Sequence, residues 1–229
     1  MTKENKFKWL GLFIALVVPA ILIGMSIALS LATLYEEQLS NFPSYLSRFG
    51  WWSLSYYELW LAFFLFIIIR LGEKEPFSSL GSLKMNSDTL GLSAIIIISL
   101  IGAGMLLIVI WKYVFQMQIG HELAGERMAQ LPLWRKAFLS LGAGITEEII
   151  YRGYSITRLQ QLTKNKPVSI IIPLAAFAFA HIGYGTVLHV MTALAMGIVL
   201  TIFYLKYKNL LANMIGHALF DFLFLALAR

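Results

Sequence analysis

Three short motifs with ionisable side chains interrupt the apolar second half of the chain. They are Glu147-Glu148-Ile149-Ile150-Tyr151-Arg152, Phe177-Ala178-Phe179-Ala180-His181 and His217-Ala218-Leu219-Phe220-Asp221. A carboxylate can take a proton from a water molecule that attacks a carbonyl, while imidazole and carboxyl groups fix the water or stabilise the oxyanion. The residue types of the three motifs therefore indicate activation of a water molecule.

Helical spacing assigns different tasks to the charged residues of the first motif. Glu148 and Arg152 are four residues apart, so they share a helix face and can form an ion pair. Glu147 is rotated from Glu148 by about 100° around the helix and can point elsewhere. We therefore predict that Arg152 neutralises Glu148 and that Glu147 is left to react.

The second and third motifs repeat the spacing of one helical turn. His217 and Asp221 are four residues apart, and Asn213 extends their stripe by another turn. Phe177 lies one turn before His181, where its ring can pack beneath the imidazole and orient it. Each of the two motifs thus places its first and last side chains on one face of a helix.

The same residue types also suit a divalent metal such as zinc. In that alternative the ligands are Glu147, His181, His217 and Asp221. The metal would then lower the pKa of its bound water toward ~7. No sequence feature decides between this mechanism and direct activation by Glu147. Cysteine is absent, which excludes disulfides, thiolate metal sites and a cysteine nucleophile.

The composition places these motifs in a membrane. Of the 229 residues, 59% are hydrophobic and only 13% are charged, and the mean hydropathy is +0.76. A soluble domain carries about 25% charged residues. A charge at the centre of a bilayer costs about 2.5–3.5 kcal/mol, so the ionisable groups must meet one another or water inside a bundle. The expected fold class is an all-α, polytopic integral membrane helix bundle.

The apolar runs predict about seven transmembrane helices, and the pattern is compatible with six to eight. Such a helix needs about twenty residues to cross ~30 Å of hydrocarbon. The predicted spans are Trp9–Leu34, Ser53–Ile69, Leu90–Tyr113, Trp134–Ile156, Val168–Ile182, Thr186–Tyr207 and Leu210–Ala228. Alternate polar segments hold eleven and six Lys or Arg residues. Positive residues favour the cytoplasmic side, so the N-terminus is predicted to be cytoplasmic.

The polar segments set the expected partners and the domain organisation. The net charge of +6 resides mainly between apolar runs, where it favours the lipid bilayer over nucleic acid. Residues 116–130 form the longest polar segment, which we predict to be a solvated connecting helix. We expect a single membrane domain, residues 1–229, in which residues 133–227 carry the chemistry and residues 1–130 contribute membrane character only.

Each motif alone also has an interpretation without catalysis. A Glu–Arg pair in a membrane helix is often a structural ion pair, and a His near an Asp suits a proton relay. The alternative function is therefore a non-enzymatic membrane immunity or scaffold protein. A proton-coupled transporter is disfavoured, because the chain lacks a two-fold repeat with paired broken helices. His121 and His189 belong to none of the motifs, and we interpret both as structural or interfacial.

Taken together, the three motifs resemble the signature of the CAAX protease and bacteriocin-processing family of intramembrane proteases, also called the Abi family. That signature is EExxxR, then FxxxH, then HxxxN or HxxxD, and all three parts match in this order. The resemblance covers roughly residues 133–227. It implies an endopeptidase that hydrolyses a peptide bond within or near the membrane.

The resemblance also implies roles for the motif residues. Glu147 resembles the water-activating glutamate of the family, and the residues that would hold the water, the oxyanion or a metal are His181, His217 and Asp221. Glu148 and Arg152 would support the site. Family members have been described as metalloproteases and as glutamate-type proteases, so both mechanisms stay open. The eukaryotic prenyl-protein branch usually has Asn where this chain has Asp221.

The resemblance further implies a bacterial cytoplasmic membrane and a peptide or membrane-protein substrate. Relatives suggest prenylated CAAX proteins, double-glycine or bacteriocin precursors, or bacteriocin self-immunity. Counting ~1.5 Å per residue from the span ends places Glu147 and His217 in the inner half of the membrane and His181 roughly 8–10 Å deeper. This mismatch predicts a tilt, a shifted boundary or a helix broken near Pro173.

Overall fold

Seven main helices form the part of the chain that the computed structural model describes, which is residues 2–22, 24–25, 57–116, 130–184 and 186–227. The first three are α1 (Lys3–Leu22), α2 (57–67, continued by a π-helical turn at Ile68–Gly72) and α3 (Ser87–Val114). The long helix α4 has three parts, Leu133–Glu147, a π-helical stretch Glu148–Ile156 and Thr157–Thr163. The last three are α5 (Lys166–Ala180), α6 (Val187–Tyr207) and α7 (Leu210–Leu227).

The predicted all-α membrane bundle is confirmed. Four helices among the described residues, α1, α3, α6 and α7, are long and apolar enough to cross a membrane, and α5 is apolar but shorter. The helix α4 is also long, but three charged residues of the first motif lie at its centre. The end of the first predicted span, the start of the second and nearly all of the predicted connecting helix, with His121, lie outside the described residues.

Local sequence signals set the boundaries of the helices that carry the second motif. The side chain of Asn165 accepts a hydrogen bond from the Val168 amide and caps α5, with a proline in the first turn. Pro173 lies inside α5 without ending it, so the helix is not broken there. The helix instead ends at Ala180, and a short 3₁₀ turn, His181–Tyr184, follows.

The helix α7 packs closely against α4 and α3 because glycines face the contacts. A Cβ atom on Gly144 would lie 2.6 Å from the backbone nitrogen of Ala218, and one on Gly216 would lie 2.6 Å from Cγ2 of Ile96. Small residues allow helix backbones to approach in a membrane, where lipid supplies no hydrophobic drive for association. The first and third motifs are therefore held on adjacent helices in close contact.

A buried polar network fixes the far end of α4 to the loop that follows α2. The side chains of Arg158 and Glu73 are completely buried, and Nε of Arg158 lies 2.7 Å from Oε2 of Glu73. The Tyr154 hydroxyl donates to Oε1 of Glu73 at 2.6 Å, and Arg158 also donates to Oγ of Ser79 at 2.9 Å. The loop is thus joined to the same π-helical stretch that begins at Glu148.

The glycine contacts predict opposite effects for two alanine substitutions in α4. Gly144→Ala should destabilise the fold by about 1–3 kcal/mol, because the new methyl group meets the backbone of α7. Gly142→Ala is the control, since a Cβ there meets nothing within 4 Å. It should stabilise the helix by about 0.5–1 kcal/mol. Thermal unfolding in detergent checks both, and equal melting temperatures would contradict the close contact.

Candidate active site

The Glu148 carboxylate receives hydrogen bonds from two helices. Its Oε1 atom lies 2.7 Å from Nη1 of Arg152 in α4 and 3.0 Å from Nδ1 of His217 in α7. Its Oε2 atom accepts a hydrogen bond of 3.0 Å from the amide of Asn213, which also donates to the carbonyl of Leu200 at 2.8 Å. The Glu148 side chain is completely buried. The predicted ion pair between Glu148 and Arg152 is present, and two residues of α7, His217 and Asn213, contact the same carboxylate.

The contact with Glu148 sets the orientation of the His217 ring. Because a carboxylate only accepts hydrogen bonds, Nδ1 of His217 carries the proton in this contact. The other ring nitrogen, Nε2, lies 3.7 Å from Oε2 of Glu147 and 3.4 Å from Oδ2 of Asp221. Glu148 and Glu147 therefore lie next to different nitrogens of the His217 ring, Glu148 at Nδ1 and Glu147 at Nε2.

Glu147 keeps one oxygen atom available for chemistry. Its side chain is 9% exposed, and among the described residues its Oε2 atom has no hydrogen-bond partner. A buried carboxylate oxygen without a partner is costly, and such groups are typical of functional sites. The Asp221 side chain is 27% exposed, so it is less buried than Glu147, Glu148 and His217.

Phe177 lies at the centre of the site and joins the second motif to the other two. The guanidinium carbon of Arg152 lies 4.1 Å from the centre of the Phe177 ring. The ring centres of Phe177 and His181 are 4.8 Å apart, and those of Phe177 and His217 are 6.3 Å apart. Nδ1 of His181 donates to the backbone carbonyl of Phe177 at 2.8 Å. The expected packing of Phe177 beneath the imidazole is thus present.

The six predicted site residues lie close together in the structure. The first and third motifs meet directly through His217, and His181 reaches them across the Phe177 ring. His181 lies directly after the end of α5, at the first residue of the 3₁₀ turn. The catalytic roles of these residues stay predictions.

Two further ionisable residues lie at the site and were not included in the predicted set. The rings of His181 and His189 are stacked, with centres 5.8 Å apart and an angle of 21° between the planes, and His189 also interacts with the Asp221 carboxyl. Glu58 in α2 accepts a hydrogen bond of 3.2 Å from the hydroxyl of Thr146. The signal that could have found both is an ionisable side chain within an apolar run.

The side chains do not assemble into a metal centre. Among the residues that the structure describes, no group of three or more His, Asp and Glu side chains is arranged to hold a metal ion. At each imidazole Nδ1 forms the hydrogen bond, with the Glu148 carboxylate at His217 and with the Phe177 carbonyl at His181, so Nε2 is the ring nitrogen that faces the site. In this arrangement the four predicted ligands do not form a metal-binding group, and no step is derived through a metal.

Comparison with known proteins identifies the segment that contains the site. Residues 129–223 match the family model described as type II CAAX prenyl endopeptidase Rce1-like. We call this segment the Rce1-like domain because it is similar to that family. It contains all three motifs and supports assignment of the protein as an integral membrane peptide hydrolase. No curated protein and no solved structure matches the chain. Helices α1 to α3 lie outside the Rce1-like domain.

The buried ion pair predicts a large stability effect. Arg152→Met should destabilise the protein by about 3–5 kcal/mol, because the Glu148 carboxylate would stay buried without its cation. The double variant Glu148→Gln with Arg152→Met should recover part of that loss, since it removes both charges. Thermal unfolding in detergent measures both effects.

Arg70→Met is the control for this experiment, because Arg70 is exposed. It should leave the melting temperature unchanged. If Arg152→Met unfolded at the wild-type temperature, Arg152 could not be the partner on which the burial of Glu148 depends.

Proposed function

We propose that the protein is an intramembrane endopeptidase in which Glu147 activates the attacking water. The observation that carries this proposal is the pair of facing atoms, Oε2 of Glu147 and Nε2 of His217, 3.7 Å apart. A water molecule about 2.8 Å from each atom can bridge them. The Oε2 atom has no other partner among the described residues, so it can accept the proton of that water.

The proposed reaction uses the two glutamates differently. Glu147 takes a proton from the water, whose oxygen forms a bond with the carbonyl carbon of the substrate peptide. Nε2 of His217, when protonated, donates to the oxyanion, and Glu148 holds the ring through Nδ1. Glu147 then passes its proton to the amide nitrogen as the carbon–nitrogen bond breaks. In this scheme Asp221 contacts Nε2 of His217, and His181 holds the peptide or the water.

The proposed substrate is a peptide segment presented at the membrane. The matching family model is described by its action on CAAX prenyl proteins, so a prenylated CAAX peptide is the first substrate to test. In a bacterium without prenylated proteins the substrate would be another peptide, so a peptide precursor with a double-glycine leader is the second substrate to test. We propose a bacterial cytoplasmic membrane, which the resemblance to the family implies, and a cytoplasmic N-terminus, which the distribution of Lys and Arg favours.

Glu147→Gln should abolish cleavage while leaving the fold intact. Gln preserves the shape of Glu but cannot accept the proton, so kcat should fall by about 10²–10⁴-fold. The assay uses purified protein in liposomes and two quenched fluorescent peptides, one with a farnesylated CAAX box and one with a double-glycine leader. Glu75→Gln is the matched control outside the site, and it should cleave like wild type.

Two results would contradict the proposed function. One is a Glu147→Gln variant with wild-type kcat, which would assign Glu147 a structural role. The other is wild-type protein that cleaves neither peptide, which would favour the non-enzymatic immunity or scaffold function.

Chelation of divalent metal ions should not affect cleavage. The residues that the structure describes form no group of three or more side chains placed to hold a metal, and the proposed step uses Glu147, His217 and water. The expected result is an unchanged kcat after treatment with EDTA and with 1,10-phenanthroline. A loss of activity that added zinc restores would show that the site rearranges around a metal.

A further inference from the structure

Glu58 brings a second carboxyl group to the site from outside the Rce1-like domain. It lies in the first turn described for α2, whereas the family match begins at residue 129. The residue is half-buried, and it is the one Asp, Glu, Lys, Arg or His within the apolar run 53–69. A charged group in such a run is costly unless it has partners inside the protein. Its presence therefore needs an explanation in terms of contacts.

Both oxygens of Glu58 are held by hydroxyl groups. The Tyr57 hydroxyl donates to Oε1 at 3.1 Å, and the Thr146 hydroxyl donates to Oε2 at 3.2 Å. The Thr146 hydroxyl has a single proton and its oxygen also lies 2.9 Å from the carbonyl oxygen of Gly142, so Glu58 and Gly142 share that proton and the side chain stays in one orientation. The Glu58 carboxyl is consequently fixed against α4, at the residue directly before Glu147.

The Glu58 carboxyl, which contacts Thr146 directly before Glu147 in the chain, interacts electrostatically with Glu147 and with His217. When one carboxyl group of such a pair is protonated, it can donate a hydrogen bond to the other. This interaction matters because Oε2 of Glu147 has no hydrogen-bond partner among the described residues. Without an interaction elsewhere, the plane of the Glu147 carboxyl would be free to turn.

We propose that Glu58 is a positioning residue, which holds the Glu147 carboxyl so that Oε2 faces Nε2 of His217. This inference rests on the proposed function, because it assigns Glu147 the role of accepting the water proton. The inference adds that one residue of the site, Glu58, comes from α2, which lies outside the Rce1-like domain. Displacement of a reacting group by ~1 Å can lower a rate by about 10²-fold.

The test compares Glu58→Ala and Glu58→Gln in the liposome cleavage assay, with kcat, KM and melting temperature measured for each. Glu58→Ala should lower kcat by about 10–10²-fold with KM within about twofold of wild type, because only the orientation of Glu147 is lost. Glu58→Gln should keep kcat within about threefold, since its amide still forms hydrogen bonds with both hydroxyls and can donate to Glu147. Leu59→Ala, at an exposed neighbouring position in α2, is the control and should behave as wild type.

The outcomes separate this inference from the proposed function. A Glu58→Ala variant with wild-type kcat would overturn the positioning role. That conclusion would also hold if the variant had a lower melting temperature or a higher KM, as long as kcat itself was unchanged. An equal loss of kcat in Glu58→Gln and Glu58→Ala would also overturn that role, because Glu58 would then act by proton transfer itself. Activity in Glu147→Gln would instead overturn the proposed function, whatever the result at Glu58.

Discussion

The carboxylate of Glu148 is the interaction on which the arrangement of the other site residues depends. It is completely buried and accepts hydrogen bonds from Arg152 on its own helix and from His217 and Asn213 on α7. In a medium of low dielectric constant a buried charge is tolerated only when its partners satisfy it. Hence α4 and α7 have one favourable register, and that register places Nε2 of His217 opposite Glu147.

This requirement also explains the packing around the site. The glycines at positions 144 and 216 lie next to the two motifs and let α7 approach α4 and α3 closely. The Phe177 ring lies against the guanidinium of Arg152 and against the imidazole of His181. A cation over an aromatic face is stabilised further where water is excluded. The ion pair of Glu148 and Arg152 thus lies between the contact of α4 with α7 and the Phe177 ring. The Phe177 ring in turn sets the position of His181 in the second motif.

The sequence predicted the helices and the close approach of six polar residues, because a bilayer penalises charge so strongly that any ionisable residue in a span needs a partner. The ion pair of Glu148 with Arg152, and its separation from Glu147, also followed from helical spacing. Contacts that depend on the rotation of one helix against another did not follow. The stacking of His189 on His181 joins α6 to the 3₁₀ turn before it, and the contact of Glu58 with Thr146 joins two helices that are distant in sequence. Nor does a local pattern identify the π-helical stretch that begins at Glu148.

The helices outside the Rce1-like domain do more than anchor it in a bilayer. Arg158 is completely buried within the domain, and its carboxylate partner Glu73 lies outside it. An unpaired buried guanidinium would be strongly destabilising, so this end of α4 needs the loop after α2 in order to fold. The other end of the same π-helical stretch adjoins Thr146, which donates to Glu58 from α2. Because both ends of that stretch are held from outside the domain, the geometry of the two glutamates is a property of the longer chain.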